Sequence, residues 1–121
     1  MRTIKFRIFN KKIKSYIDIH SSAIMIDELN DLNDNLIVEQ FTGLHDKNGK
    51  EIYEGDIVSY KRNVGNWTGK SLTTIHEIIF TEEINAFVMK DNSSYIKLRK
   101  HWGYEYEVIG KIHENAELLN Q

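Results

Sequence analysis

The sequence predicts an all-β domain: a small, SH3-like barrel of antiparallel hairpins closed by a short C-terminal helical turn. Three observations predict it. Short stretches alternate between apolar and polar residues at period two, the period of a strand. Turn-forming residues separate them, most strongly at Asp46-Lys47-Asn48-Gly49 and at Glu54-Gly55-Asp56. No stretch carries the sustained 3.6-residue period of a long amphipathic helix. A chain of 121 residues suits one domain, 1–121, around one core.

The alternation is clean over residues 3–9, with Ile4, Phe6 and Ile8 on one face and Lys5 and Arg7 on the other. This reads as a half-buried strand whose lysine and arginine face water. Asn10-Lys11 turns the chain. Ile13, Ser15, Ile17 and Ile19 then alternate with Lys12, Lys14, Tyr16 and Asp18, completing an antiparallel hairpin. Residues 20–35 read differently. Ile24, Met25, Leu29 and Leu32 have rough helical spacing, but Asp27, Asn30, Asp31, Asn33, Asp34 and Asn35 favour caps and turns. The expectation is a mobile acidic connection with at most one helical turn. Residues 36–41 form a strand leading to the central block.

At Asn48-Gly49 the turn has a mechanism, because a tight hairpin needs positive φ and these residue types tolerate it. Asp46 can accept backbone hydrogen bonds as an Asx-type turn residue. Gly55-Asp56 opens a strand over 56–62, and the stretch 63–71, with Gly65 and Gly69, reads as an exposed loop. Residues 73–81 are rich in β-branched side chains and form a strand. Strands at 86–90 and 95–98 follow, separated by turns at 82–85 and 91–94. From Tyr104 the alternation returns, with Tyr106 and Val108 opposite Glu105 and Glu107, and Gly110 marks a bulge or sharp bend. Asn115 reads as the N-cap of a closing helical turn that brings Leu118 and Leu119 over one end of the barrel.

Composition excludes several kinds of chemistry. With no cysteine there is no disulfide, thiolate nucleophile or cysteine zinc site. His20, His45, His76, His101 and His113 lack the close spacing of a metal-binding helix or hairpin, so no metal and no cofactor is expected. Neither a nucleophile elbow nor a phosphate-cradling glycine loop occurs, and the expectation is a protein without catalytic residues. No apolar run approaches the ~20 residues of a membrane helix, and no secretory signal is visible. A cytoplasmic protein without a membrane partner is expected.

The long central block is Thr42-Gly43-Leu44 followed by Asp46-Lys47-Asn48-Gly49-Lys50-Glu51-Ile52-Tyr53-Glu54-Gly55-Asp56-Ile57-Val58. Together with Ile4-Lys5-Phe6-Arg7-Ile8-Phe9 and the block from Val108 to Leu119, it resembles the YopX family of phage and prophage proteins. Phe9 stands where that family usually has Trp, and Ala116 where it usually has Pro. The resemblance implies a YopX-like β-barrel, phage origin, a bacterial host cell and self-assembly. It brings no catalytic residues with it. Asn48, Gly49, Gly55 and Gly110 are expected to be structural turn positions.

Two binding readings remain. Net charge is −2, but residues 1–14 hold six positive charges and no negative one, while 27–56 is strongly acidic. Either these faces complement each other within the fold, or they meet on neighbouring subunits. The second possibility makes Lys5, Arg7, Lys12, Lys14, Ile24 and Met25 candidates for self-association, with a homo-oligomer or a host or phage protein as partner. The alternative function is single-stranded nucleic-acid binding. Lys61, Arg62, Trp67 and Lys70 form one aromatic-basic stretch, and Arg99, Lys100 and Trp102 form another, in which tryptophan stacks a base and cations hold phosphates.

Overall fold

A computed structural model describes residues 3–17, 35–63, 69–90, 95–98 and 104–120. The acidic connection expected at 20–35 falls outside them except for Asn35. Two antiparallel sheets make up the fold, and one of them is a half-barrel. The first contains β1 (Phe6–Asn10), β2 (Ser15–Ile17), β3 (Leu36–His45) and β4 (Glu51–Tyr53), in the order β2-β1-β3-β4. The second contains β5 (Asp56–Asn63), β6 (Ser71–Thr81), β7 (Ala86–Lys90), β8 (Tyr95–Lys97) and β9 (Tyr104–Lys111), in the order β8-β7-β6-β5-β9. A short helix, α1 (Ile112–Asn115), runs into a 3-10 turn, Ala116–Asn120.

The sheets share one core. Ile52 from β4 packs with Val58, Tyr60, Ile78, Met89 and Tyr106 from the second sheet. Tyr60 and Tyr106 are cross-strand partners, and their rings stack at 5.3 Å. The second sheet is covered on both faces. Ile57 and Val88 alternate with the core residues Val58 and Met89, yet are also fully buried. The helical C-terminus packs against β5 and β6. It comes so close to Gly110 that a β-carbon there would lie 2.9 Å from both Asn115 and Leu118. The β5–β9 register shifts between Ile57 and Val58, opposite Gly110 and Val108, so Ile109 is the extra residue of the expected bulge.

Two local expectations are corrected. Asn115 is not an N-cap: α1 starts at Ile112, and Asn115 Oδ1 accepts the Lys111 backbone N–H at 3.2 Å. The facing of β1 also differs from the simple alternation. Ile8 and Phe9 are both buried, Ile4 and Phe6 are exposed, and Arg7 turns inward. Positions 7 and 9 share a face, and that face carries the aromatic ring of Phe9. Burying it draws Arg7 in as well, which is tolerable because two carboxylates meet the guanidinium there.

Candidate functional site

The central block builds two polar centres. At the β3–β4 turn, Gly49 has φ +83 and Asp46 holds the loop. Asp46 Oδ1 accepts the N–H groups of Asn48 at 2.8 Å and Lys50 at 2.9 Å, and Oδ2 accepts that of Val108 at 3.0 Å. The Lys47 N–H donates to the Tyr106 carbonyl. The turn is therefore bolted to β9, the far edge of the other sheet. Although burial opposes ionisation, the three backbone donors win and hold the Asp46 carboxyl below its usual value of 3.8.

Asp46→Ala is expected to cost about 2–4 kcal/mol, because it strands backbone donors that a charged acceptor satisfied. The carboxyl's folded pKa is lowered. Its contribution is therefore present above the unfolded value near 3.8 and is lost as pH falls through the lower folded value. Urea midpoints measured from neutral pH down to about pH 3 check this. The gap between wild type and Asp46→Ala should close on acidification; a gap constant with pH would contradict it.

The second centre surrounds Arg7. Its Nε donates to Glu39 Oε1 at 2.8 Å, and Nη2 lies 2.8 Å from Asp56 Oδ1. The Asp56 contact lies off the hydrogen-bond direction, so Oδ1 is charge-paired without being hydrogen-bonded. Asp56 Oδ2 accepts the Tyr53 N–H at 2.7 Å. The guanidinium lies between the rings of Tyr16 and Tyr53, 4.9 and 4.8 Å from their centroids. Tyr16 donates its hydroxyl to Glu39 Oε1, and His113 Nε2 sits 3.3 Å from Glu39 Oε2 with its ring stacked on Phe9. Arg7 thereby ties together β1, β2, β3 and the β4–β5 turn, and Glu39 extends the cluster to α1 through His113.

Burial sets the electrostatics of this centre. The Glu39 and Asp56 side chains are 3% and 1% exposed, so neither has open access to water. Burial pushes the Asp56 carboxyl above its usual range, against the pull of Arg7 and the Tyr53 N–H. For Arg7, burial works against the charge, but Asp56 and Glu39 outweigh it and raise its pKa. Burial also raises the Tyr16 phenol. Each group is held by another, which suits a structural knot better than proton transfer to a substrate.

This knot explains the central motif. Gly55 has φ +87, and a β-carbon there would fall inside the Glu39 carboxylate. Its N–H donates to Ile78, and its carbonyl accepts from Ile112. Glu54 accepts the Gln40 N–H at 3.1 Å. The sequence reading missed Glu39, Tyr16, Tyr53 and His113 as partners of Arg7. One signal was available: Glu39 has the parity of Ile37 and Phe41, so an inward-facing strand would bury a carboxylate that needs a cation.

The candidate residues from sequence divide clearly. Lys5 pairs with Glu51 at 2.7 Å, and Arg7 belongs to the knot, so neither joins an open basic face. Lys12 and Lys14 are exposed and have no ion-pair partner among the described residues. Of the acidic stretch, Glu39, Asp46, Glu51, Glu54 and Asp56 all bond within the chain. For the described residues, charge complementarity is largely internal. Ile24, Met25, Trp67, Arg99, Lys100 and Trp102 lie outside the described residues.

Lys61 and Arg62 end β5, and Lys70 leads into β6, so these three cations gather at one end of the second sheet. Arg62 Nε is buried and has no hydrogen-bond partner among the described residues. Lys61 stands beside Glu105 in the β5–β9 register, so the surface there is mixed in sign. The second aromatic-basic stretch joins Lys97 on β8 to Tyr104 on β9, and Tyr104 pairs with Arg62. Lys97 is level with Val88 and Ile79, whereas Arg62 is level with Leu72. From Leu72 to Ile79 is roughly 23 Å along a strand.

His76 is buried and structural. Its Nδ1 faces the Lys90 carbonyl at 3.1 Å, which can only accept, so that nitrogen carries hydrogen, and Nε2 pairs with Thr74 Oγ1 at 2.7 Å. Among the described residues, no three His, Cys, Asp or Glu side chains are placed to hold a metal ion.

The profile of the family described as YopX protein matches residues 5–120. Among solved structures, the chain is similar to protein EF1440 from Enterococcus faecalis. The identity is 24%, the TM-score 0.59, and the likeness covers 98% of this chain and 99% of that one. At that identity the likeness is one of fold. Among curated proteins none matches. No described helix is long and apolar enough to cross a membrane.

Proposed function

The chain belongs to the YopX family, and from that premise we propose that it is a phage-encoded, non-enzymatic β module that works in the bacterial host cytoplasm by associating with copies of itself. One observation carries the reading. The outward face of the first sheet presents an apolar row where a monomer would present polar groups. Phe6, two residues before Ile8 on β1, and Val38, cross-strand from Ile8 on β3, are diagonal neighbours on that face, and Ile8 between them is buried. Val38 is 49% exposed, Phe6 44% and Ile4 65%. Exposed apolar side chains grouped on one sheet face support an interaction site there. The motif carboxylates support the non-enzymatic half of the reading, because each is engaged in a bond that holds the fold.

The test is Val38→Lys, read by light scattering and thermal melting. The side chain is half exposed, so the melting midpoint should stay unchanged while association weakens about tenfold or more. If the midpoint falls sharply and the mass does not change, the row is covered within the chain itself and the reading fails.

The second reading, single-stranded nucleic-acid binding, is favoured by the gathering of Lys61, Arg62 and Lys70 at one end of the second sheet. Fluorescence anisotropy with a single-stranded oligonucleotide decides between them. Tight, salt-sensitive binding that Arg62→Ala abolishes would move this reading ahead.

A further inference from the structure

The two exposed hairpin turns at 11–14 and 82–85 have the same construction and opposite charge. Each is a four-residue loop, closed by the pairs Asn10 with Ser15 and Thr81 with Ala86. Each is held from its first flank. Asn10 Oδ1 accepts the Lys12 N–H at 2.9 Å, and Thr81 Oγ1 accepts the Glu83 N–H at 3.3 Å. Each ends in a left-handed residue, Lys14 at φ 54 and Asn85 at φ 52. Each holds an isoleucine out to solvent at its third position, Ile13 at 63% exposure and Ile84 at 45%. The residues around Ile13 are Lys11, Lys12 and Lys14, and those before Ile84 are Glu82 and Glu83.

An exposed branched apolar residue among like charges is an unusual choice for a turn, where small polar residues are favoured. Among the described residues, Lys11, Lys12, Lys14 and Glu82 have no ion-pair partner, so the two tips do not neutralise each other within one chain. Glu83 accepts the Tyr95 hydroxyl at 2.6 Å, which fixes its carboxylate beside the acidic tip. The basic tip adjoins the apolar row that contains Val38. The acidic tip adjoins Phe80, 41% exposed and in edge contact with Phe87.

We propose that the basic tip of one subunit docks on the acidic tip of a second copy, in a head-to-tail contact. The proposal rests on the self-association reading above and names the surfaces that meet. Ile13 with Val38 on one side, and Ile84 with Phe80 on the other, supply the apolar area; the charges set the register. Because the two surfaces differ, the contact is heterologous and builds a ring if the rotation closes.

Charge reversal in two variants tests it. One carries Lys12→Glu and Lys14→Glu, the other Glu82→Lys and Glu83→Lys. Light scattering at low salt should show each variant associating about tenfold or more weakly than wild type. An equimolar mixture of the two should recover association, because every reversed tip then meets its opposite, and circular dichroism should show both folded. Salt should weaken the wild-type contact, since screening acts over about 10 Å at 0.1 M. Variants that associate as wild type does would overturn the tip pairing while leaving self-association intact. Weakened variants whose mixture does not recover would also overturn it. A wild type that stays monomeric overturns both readings.

Discussion

Replacing Arg7 with leucine is expected to lower the stability of the domain by about 3–5 kcal/mol, the cost of removing one partner from buried charge pairs. The cost comes less from the lost attraction than from what remains. Glu39 and Asp56 would stay in the interior without a cation, and Tyr16 and Tyr53 would lose the guanidinium between their rings. Acid should relieve part of the loss. Burial already pushes the Asp56 carboxyl up, and protonating it removes unpaired charge, so the gap to wild type should narrow as pH falls into the carboxylate range. Urea denaturation across pH measures both effects. A loss under about 1 kcal/mol, as for an exposed pair, would show that the knot does not hold the sheets together.

Gly55→Ala is expected to destabilise by roughly 2–5 kcal/mol, adding left-handed strain to a steric clash. The clash is with the Glu39 carboxylate, which cannot move without releasing Arg7. Gly49 provides the control. Its φ is equally positive at +83, but a β-carbon there meets nothing within 4 Å. Gly49→Ala should therefore show the strain alone, about 1–2 kcal/mol. Equal losses at the two positions would mean that close approach to Glu39 is not why glycine stands at 55.

The contrast between these glycines shows what could be read from the sequence. The Asn48-Gly49 turn was legible because its cause is local: a tight hairpin needs positive φ, and neighbouring residues report it. The strands after it were legible for the same reason, as was the bulge at Gly110. The role of Gly55 was not legible, because the group that excludes a side chain there comes from Glu39, sixteen positions earlier on another strand. The inward turn of Arg7 failed for a related reason. Ile8 and Phe9 give β1 a buried apolar residue on each face, so alternation alone does not decide which way Arg7 points. The choice follows from register, which sets Arg7 opposite Glu39 and Phe9 opposite Tyr16.

The acidic stretch illustrates the same limit. Segregated charge along a sequence suggested two outward surfaces, but strand pairing folded five of the carboxylates into intramolecular bonds. Of the cations expected at a contact, Lys12 and Lys14 stay exposed at the β1–β2 turn; the glutamates of the β6–β7 turn and the exposed Phe6 and Val38 were not singled out by charge segregation.

The most direct test of this account is the solution mass of the wild-type protein, measured by light scattering from dilute to concentrated solution. The account predicts a mass that rises above the 14.2 kDa of one chain and levels at a multiple of it. A mass of one chain at every concentration and at low salt would contradict it.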